Sequence, residues 1–180
     1  MKPIVIGIAG PSAGGKTTVT AELEKKLNAR VFHTDSYFKK ELPIMVSPDD
    51  GQTYPDWNQP ESIRYADLIE DIRAAVREER DEYILVEGAL VLAIDELRRE
   101  LDVKVFVDAR IETCLYRRIV RNISLMGQAP EFIGGYYLKC ARHREAEYCR
   151  PSIRYADYVI DNDVSYEGQL EGIPLTRKEN

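Results

Sequence analysis

The stretch Gly10-Pro11-Ser12-Ala13-Gly14-Gly15-Lys16-Thr17-Thr18 constrains this chain more than any other part of it. It follows the apolar run Pro3-Ile4-Val5-Ile6-Gly7-Ile8-Ala9 and opens a helical pattern carrying Val19, Leu23 and Leu27. A strand that breaks into a glycine-rich turn and restarts as a helix curls its backbone N–H groups inward around an anion. The helix adds the positive end of its dipole to the same place. In the spacing G-x-x-x-x-G-K-[ST], Lys16 reaches the β- and γ-phosphates of a nucleotide and Thr17 offers its hydroxyl to Mg²⁺. Gly10, Ser12, Ala13, Gly14, Gly15, Lys16, Thr17 and Thr18 are therefore the candidate nucleotide-binding residues.

Further along, strand and helix patterns alternate. Short apolar runs at 29–33, 83–86, 103–108 and 155–160 read as strands, and 110–124 and 131–148 read as helices. A further helix starts at Pro60-Glu61-Ser62 and carries Ile63, Ala66, Leu68, Ile69, Ile72 and Val76 at helical spacing. Such alternation predicts right-handed crossovers and a three-layer α/β/α fold around a central, mostly parallel five-stranded sheet. The 180 residues suit a single domain, 1–180. Ligands of such sheets sit beyond the C-terminal strand ends, where Gly10, Asp35 and Glu87 all fall. Residues 41–57 are rich in Pro, Asp and Gly and read as a long irregular loop. Because it is bordered and interrupted by Tyr37, Phe38, Tyr54 and Trp57, the segment 34–60 is expected to bind substrate. The tail 165–180 is polar, with the pattern of a short helix, and suggests no function.

A net charge of −6 argues against broad binding to nucleic acid or anionic membrane. No apolar run is long enough to span a bilayer, and the first one leads straight into the phosphate loop without a cleavage site. Cys114, Cys140 and Cys149 form no CxxC pair, so neither a disulfide framework nor a zinc site is expected, and a reducing cytoplasmic setting fits.

Phosphoryl transfer needs positioning, charge neutralisation and a group to take the acceptor's proton. Asp35 lies just after the second strand, where a carboxylate can orient and deprotonate a hydroxyl; Glu87 ends the third and can hold Mg²⁺ directly or through water. Taken singly, each also reads as a solvated loop carboxylate. The helix after the fourth strand carries Arg117, Arg118 and Arg121. Arg117 and Arg121 share a face and can close over a transferring phosphate, although a solvated basic face is the competing reading. Residues 117–135 would form a helical lid, with Gly127 and the pair Gly134-Gly135 as hinges. Tyr136-Tyr137 read as core, and His33 and His143 have no partner at metal-ligand or triad spacing.

With these residues in view, the chain from residue 4 to about 163 resembles the uridine kinase and nicotinamide riboside kinase family of P-loop nucleoside kinases. The resemblance rests on Gly10 to Thr18, Thr34-Asp35-Ser36-Tyr37-Phe38, Asp56-Trp57-Asn58-Gln59-Pro60-Glu61-Ser62, Val86-Glu87-Gly88, the arginine cluster, and the ending around Tyr155-Ala156-Asp157. It implies ATP as donor and Asp35 as the catalytic base on a ribose 5′-hydroxyl. It further implies Mg²⁺ near Thr17, Asp35 and Glu87, and the lid arginines Arg117, Arg118 and Arg121 on the phosphates. Tyr37, Phe38, Asp56, Trp57 and Asn58 would contact the acceptor. Asn58 stands where the family usually has an aspartate, so either Asp56 or Asn58 would hold the ribose. The pyrimidine-reading segment of uridine kinases is absent, since Arg80-Asp81-Glu82 leads directly into Tyr83. Uridine, cytidine and nicotinamide riboside are thus all candidate acceptors. A small-metabolite or nucleoside monophosphate kinase is the nearest alternative, and a non-catalytic nucleotide-dependent switch is the alternative of another class. Kinases of this size often assemble as homo-oligomers.

Overall fold

Val5, Ile6, Ile8 and Ala9 are all buried because their strand runs through the middle of a sheet covered on both faces. The computed structural model describes residues 2–163 and 165–176. Its strands are β1 (Ile4–Ala9), β2 (Arg30–His33), β3 (Ile44–Val46), β4 (Thr53–Pro55), β5 (Tyr83–Glu87), β6 (Val103–Asp108) and β7 (Tyr158–Asp161). Five of them form a parallel sheet in the order β2-β5-β1-β6-β7.

The helices are α1 (Lys16–Leu27), α2 (Tyr65–Glu78), α3 (Asp95–Arg98), α4 (Ile111–Met126), α5 (Pro130–Tyr136) and α6 (Arg142–Arg144). From β1 to β2 the chain steps one way across the sheet, and every later connection within the sheet steps the other way. Right-handed crossovers then put α1 on one face and the later helices on the other. The two apolar cores follow this division. Val5, Ala9, Ile84, Val86 and Phe106 pack with Leu68, Ile69, Ile72 and Leu97. The alternate residues Ile6, Ile8, Leu85, Val105 and Val107 pack with Val19, Leu23 and Ile160, and with Tyr166, Leu170 and Ile173 from the C-terminal stretch. That stretch carries a 3₁₀ turn at Leu170–Gly172; the last part of the expected tail, 177–180, lies outside the described residues. The result is the expected α/β/α sandwich.

The structure differs from the sequence reading in five places. The helix expected from Pro60 does not start there: Pro60–Ser62 is a separate 3₁₀ turn, Ile63 is extended and bridges to Phe38, and α2 begins at Tyr65. Residues 41–57 are not irregular throughout, since β3 and β4 pair as an antiparallel hairpin with Met45 opposite Tyr54. The hairpin tip is tied to the helical segment beyond it: Asp49 accepts from Arg142 (3.0 Å) and pairs with His143 (2.7 Å), and Asp50 pairs with Lys139 (2.8 Å). Gly134 and Gly135 do not break the chain. They lie within α5, which continues as a helical run to Tyr155 through π-turns at Tyr137–Ala141 and Glu145–Cys149 and a 3₁₀ end. Only Gly127, the αL cap of α4 at φ 62°, interrupts the lid region. The last strand begins at Tyr158 rather than 155 because Arg150–Tyr155 is still helical. Residues 89–102, which carry no motif, fold into a loop whose Leu90, Val91 and Leu92 enter the core and α3, which adds Leu97. Among the described residues no helix is long and apolar enough to cross a membrane.

Candidate active site

The phosphate loop joins β1 to α1, and its glycines are set by close approach. Gly10 has φ +145°, and a Cβ there would lie 2.2 Å from the Val107 carbonyl oxygen; Gly15 has φ +103°, and its Cβ would lie 1.9 Å from Asn162 Nδ2. Neither position accepts a side chain. Lys16 is buried and its Nζ donates to the Pro11 carbonyl (3.0 Å), which holds the ammonium over the loop. Asn162 Nδ2 donates to the Gly14 carbonyl (2.7 Å).

The loop opens into a cleft of about 670 Å³ at the C-terminal strand ends. Ser12, Ala13, Gly15, Lys16, Thr17 and Thr18 line its floor, and Asp35 and Glu87 line the wall beside it. The two carboxylates are neighbours because β2 and β5 pair in register, His33 opposite Glu87, and the missing Cβ of Gly88 would sit 1.9 Å from Thr34 Oγ1. His33 Nδ1 pairs with Glu87 Oε2 at 2.8 Å. This contact between strand ends was not legible from spacing alone.

Arg117, Arg118 and Arg121 project from α4 into the same cleft. Arg117 Nη2 donates to the Asn162 carbonyl (3.0 Å) and Arg121 Nε to Asn122 Oδ1 (3.1 Å). Among the described residues Arg117 Nη1 and Arg118 Nε are buried with no hydrogen-bond partner, and burial pushes the Arg118 guanidinium pKa down. Buried donors without acceptors are uncommon, and both belong to residues that line the cleft. The solvated basic face considered above is thus not what α4 presents at Arg117 and Arg118.

Phe38, Trp57 and Asn58 also line the cleft. Phe38 and Trp57 meet edge to face at 5.0 Å between ring centres. Tyr37 is not among the lining residues. Its hydroxyl donates to Asp71 (2.6 Å), and burial together with that bond pushes its pKa up to about 12. Asp56 also stands outside the cleft. Its side chain is wholly buried, accepting from Arg144 Nε (2.7 Å) and the Asn58 N–H (2.9 Å), while its carbonyl accepts from Ser62 Oγ (2.6 Å). It organises the turn that presents Asn58. Gly10 and Gly14 shape the loop without lining the cleft.

A second pocket of about 270 Å³ adjoins the first and shares Trp57 and Arg118 with it. Tyr54, Pro55, Phe132, Ile133 and Tyr136 form its apolar wall, and the hydrogen-bonded amides of Asn122 and Gln128 (2.9 Å) lie at one side. Tyr137 is core, as expected, but Tyr136 is not; it donates to the Pro55 carbonyl (2.9 Å). Sequence reasoning also missed Asn162 and Tyr166 as cleft residues. The strand-end rule applied to β7 points to Asn162; nothing in the sequence marks Tyr166.

The sequence model of the phosphoribulokinase / uridine kinase family matches residues 73–165. The chain is 34% identical to a uridine kinase of Streptococcus equi subsp. zooepidemicus, over 91% of this chain and 89% of that one. It is 27% identical to a uridine kinase of Clostridium botulinum, over 88% of each. Among solved structures, TT1252 from Thermus thermophilus is similar with a TM-score of 0.58 and 17% identity, over 96% of both chains. A possible uridine kinase from Bacillus stearothermophilus is similar with a TM-score of 0.52 and 21% identity, over 89% of this chain and 90% of that one. The solved structures share the fold.

Proposed function

Because the chain belongs to the phosphoribulokinase / uridine kinase family and is an ATP-dependent kinase, we propose that its acceptor is the primary hydroxyl of a nucleoside-like molecule. The observation that carries this reading is a single cleft that joins the phosphate loop, three arginines and Asp35 to the acceptor-side residues Trp57 and Asn58. In this reading Lys16 and the loop amides hold the donor phosphates. Arg117, Arg118 and Arg121 meet the charge on the transferring group, and Asp35 accepts the hydroxyl proton as the acceptor oxygen attacks. Asn58 bonds a ribose hydroxyl as a neutral partner, a role closed to Asp56 because Arg144 occupies its carboxylate. The ring of the acceptor stacks at Trp57 and enters the adjoining pocket.

Thr17, Asp35 and Glu87 would hold a magnesium ion, which when bound neutralises donor phosphate charge. The donor set fits: one hydroxyl and two carboxylates on a cleft wall suit a hard cation that keeps several of its own waters. Among the described residues no group of three or more His, Cys, Asp or Glu forms a complete protein cage for a metal. We place the enzyme in the cytoplasm, a setting supported by three buried free thiols.

The test is acceptor-stimulated ADP release with Mg·ATP against ribonucleosides, nicotinamide riboside and simple sugars, with Asp35→Asn as the blank. Asp35→Asn should bind nucleotide nearly as the wild type does and lose turnover by about 10²–10⁴-fold. Wild-type turnover in that variant would refute the role of Asp35. The absence of stimulation by any acceptor would refute the reading itself.

A further inference from the structure

We propose that Asn162 is a positioning residue that sets the phosphate loop in register with the lid arginine Arg117. The proposal rests on the kinase reading of the cleft. Asn162 follows β7 and joins three elements at once. Its N–H donates to the Asp108 carbonyl at the end of β6 (2.8 Å), its side-chain Nδ2 donates to the Gly14 carbonyl of the phosphate loop (2.7 Å), and its own carbonyl accepts from Arg117 Nη2 on α4 (3.0 Å). The residue is buried, and its amide occupies the space that a Cβ on Gly15 would fill. Gly15 thus serves two purposes, a left-handed turn and a seat for a side chain from the far end of the fold.

The bond to Gly14 fixes more than a carbonyl. The Gly14–Gly15 peptide is planar and trans, so holding its C=O toward Asn162 sets the opposite direction for the Gly15 N–H. That N–H belongs to the set that must be aligned before phosphate arrives, since preorganised donors need no rearrangement during transfer. The bond from Arg117 to the same residue places a lid cation relative to those donors. An amide is required here: a carboxylate would set acceptor against acceptor at the Gly14 carbonyl and bring negative charge toward the phosphates.

The experiment measures ADP and AMP binding, without acceptor, in the wild type, Asn162→Ala, Asn162→Asp and Asn162→Ser, and then KM for ATP and for the acceptor. Asn162→Ala should weaken ADP and ATP by about tenfold, the value of one buried hydrogen bond, leave AMP within about twofold and leave the acceptor KM unchanged. Asn162→Asp, nearly isosteric, should lose more; Asn162→Ser keeps a donor and should recover part of the loss. A general packing defect would lower AMP and ADP affinity together. Equal loss for both nucleotides, or ADP affinity unchanged in the alanine and aspartate variants, overturns the proposal. Failure of the wild type to bind ADP would instead overturn the kinase reading.

Discussion

Removing Arg144 should destabilise the fold by stranding the buried carboxylate of Asp56. The Arg144 side chain is one-fifth exposed and its Asp56 partner is wholly buried, so Arg144→Met leaves a carboxylate in the interior with, among the described residues, only the Asn58 N–H (2.9 Å) as donor. Breaking a buried pair from one side costs ~3–5 kcal/mol. The surviving N–H bond places the expected cost at the lower end, about 3 kcal/mol. With an unfolding entropy of about 0.4 kcal/mol/K for a chain of this length, Tm should fall by about 8 °C. The double variant Asp56→Asn/Arg144→Met replaces the stranded charge by a neutral amide that still serves Asn58 through its oxygen. It should cost about 1 kcal/mol in all, roughly 2 kcal/mol less than Arg144→Met alone. Urea unfolding of the four proteins, followed by the fluorescence of Trp57, closes the cycle. A single-variant cost below 1 kcal/mol, or a double variant no more stable than Arg144→Met, would refute the claim that Asp56 is a structural carboxylate held by Arg144.

Three further outcomes are expected. Gly15→Ala meets both a φ of +103° and the Asn162 amide at 1.9 Å, so ADP affinity should fall at least tenfold while the circular dichroism spectrum is retained. Trp57 is the only tryptophan and lines the cleft; in the proposed reading it meets the acceptor, so a productive acceptor should change its emission at saturating concentration, whereas ADP alone should change it far less. Burial pushes the Cys114 and Cys149 thiols up to about 11 and 12, and raises Cys140 as well. At pH 8 all three are therefore protonated and enclosed, and mass spectrometry should find them unalkylated by iodoacetamide until the chain is unfolded.

What could be read in advance was whatever local pattern or a single spacing rule fixes. The phosphate loop declares itself because each of its positions has a mechanism, and β1, β5 and β6 do so because buried parallel strands are continuous apolar runs. The segment 41–57 was misread because a three-residue strand such as β3 needs its partner to be recognisable, and Ile44 and Val46 look like any exposed loop residues until Thr53 and Pro55 are placed beside them. Asp56 and Asn58 could not be separated by sequence, since only the approach of Arg144 from 88 residues away shows which of the two is occupied. Glycine is a poor helix former, which made Gly134-Gly135 look like a hinge. Tertiary packing of Ile133 and Tyr137 on either side keeps that turn helical.

The bond between Gly14 and Asn162 spans 148 residues, and this has a bearing on biosynthesis. During translation the whole phosphate-binding sequence leaves the ribosome first, yet the residue that braces it arrives only after the last sheet strand has been made. At ~5–20 residues per second, roughly seven to thirty seconds separate the two. Until then the loop exists without its brace and Gly15 faces an unfilled space. If Asn162 braces the loop, nucleotide capture awaits the last strand of the sheet, and a chain terminated before Asn162 would carry every recognisable kinase motif while lacking a finished donor site.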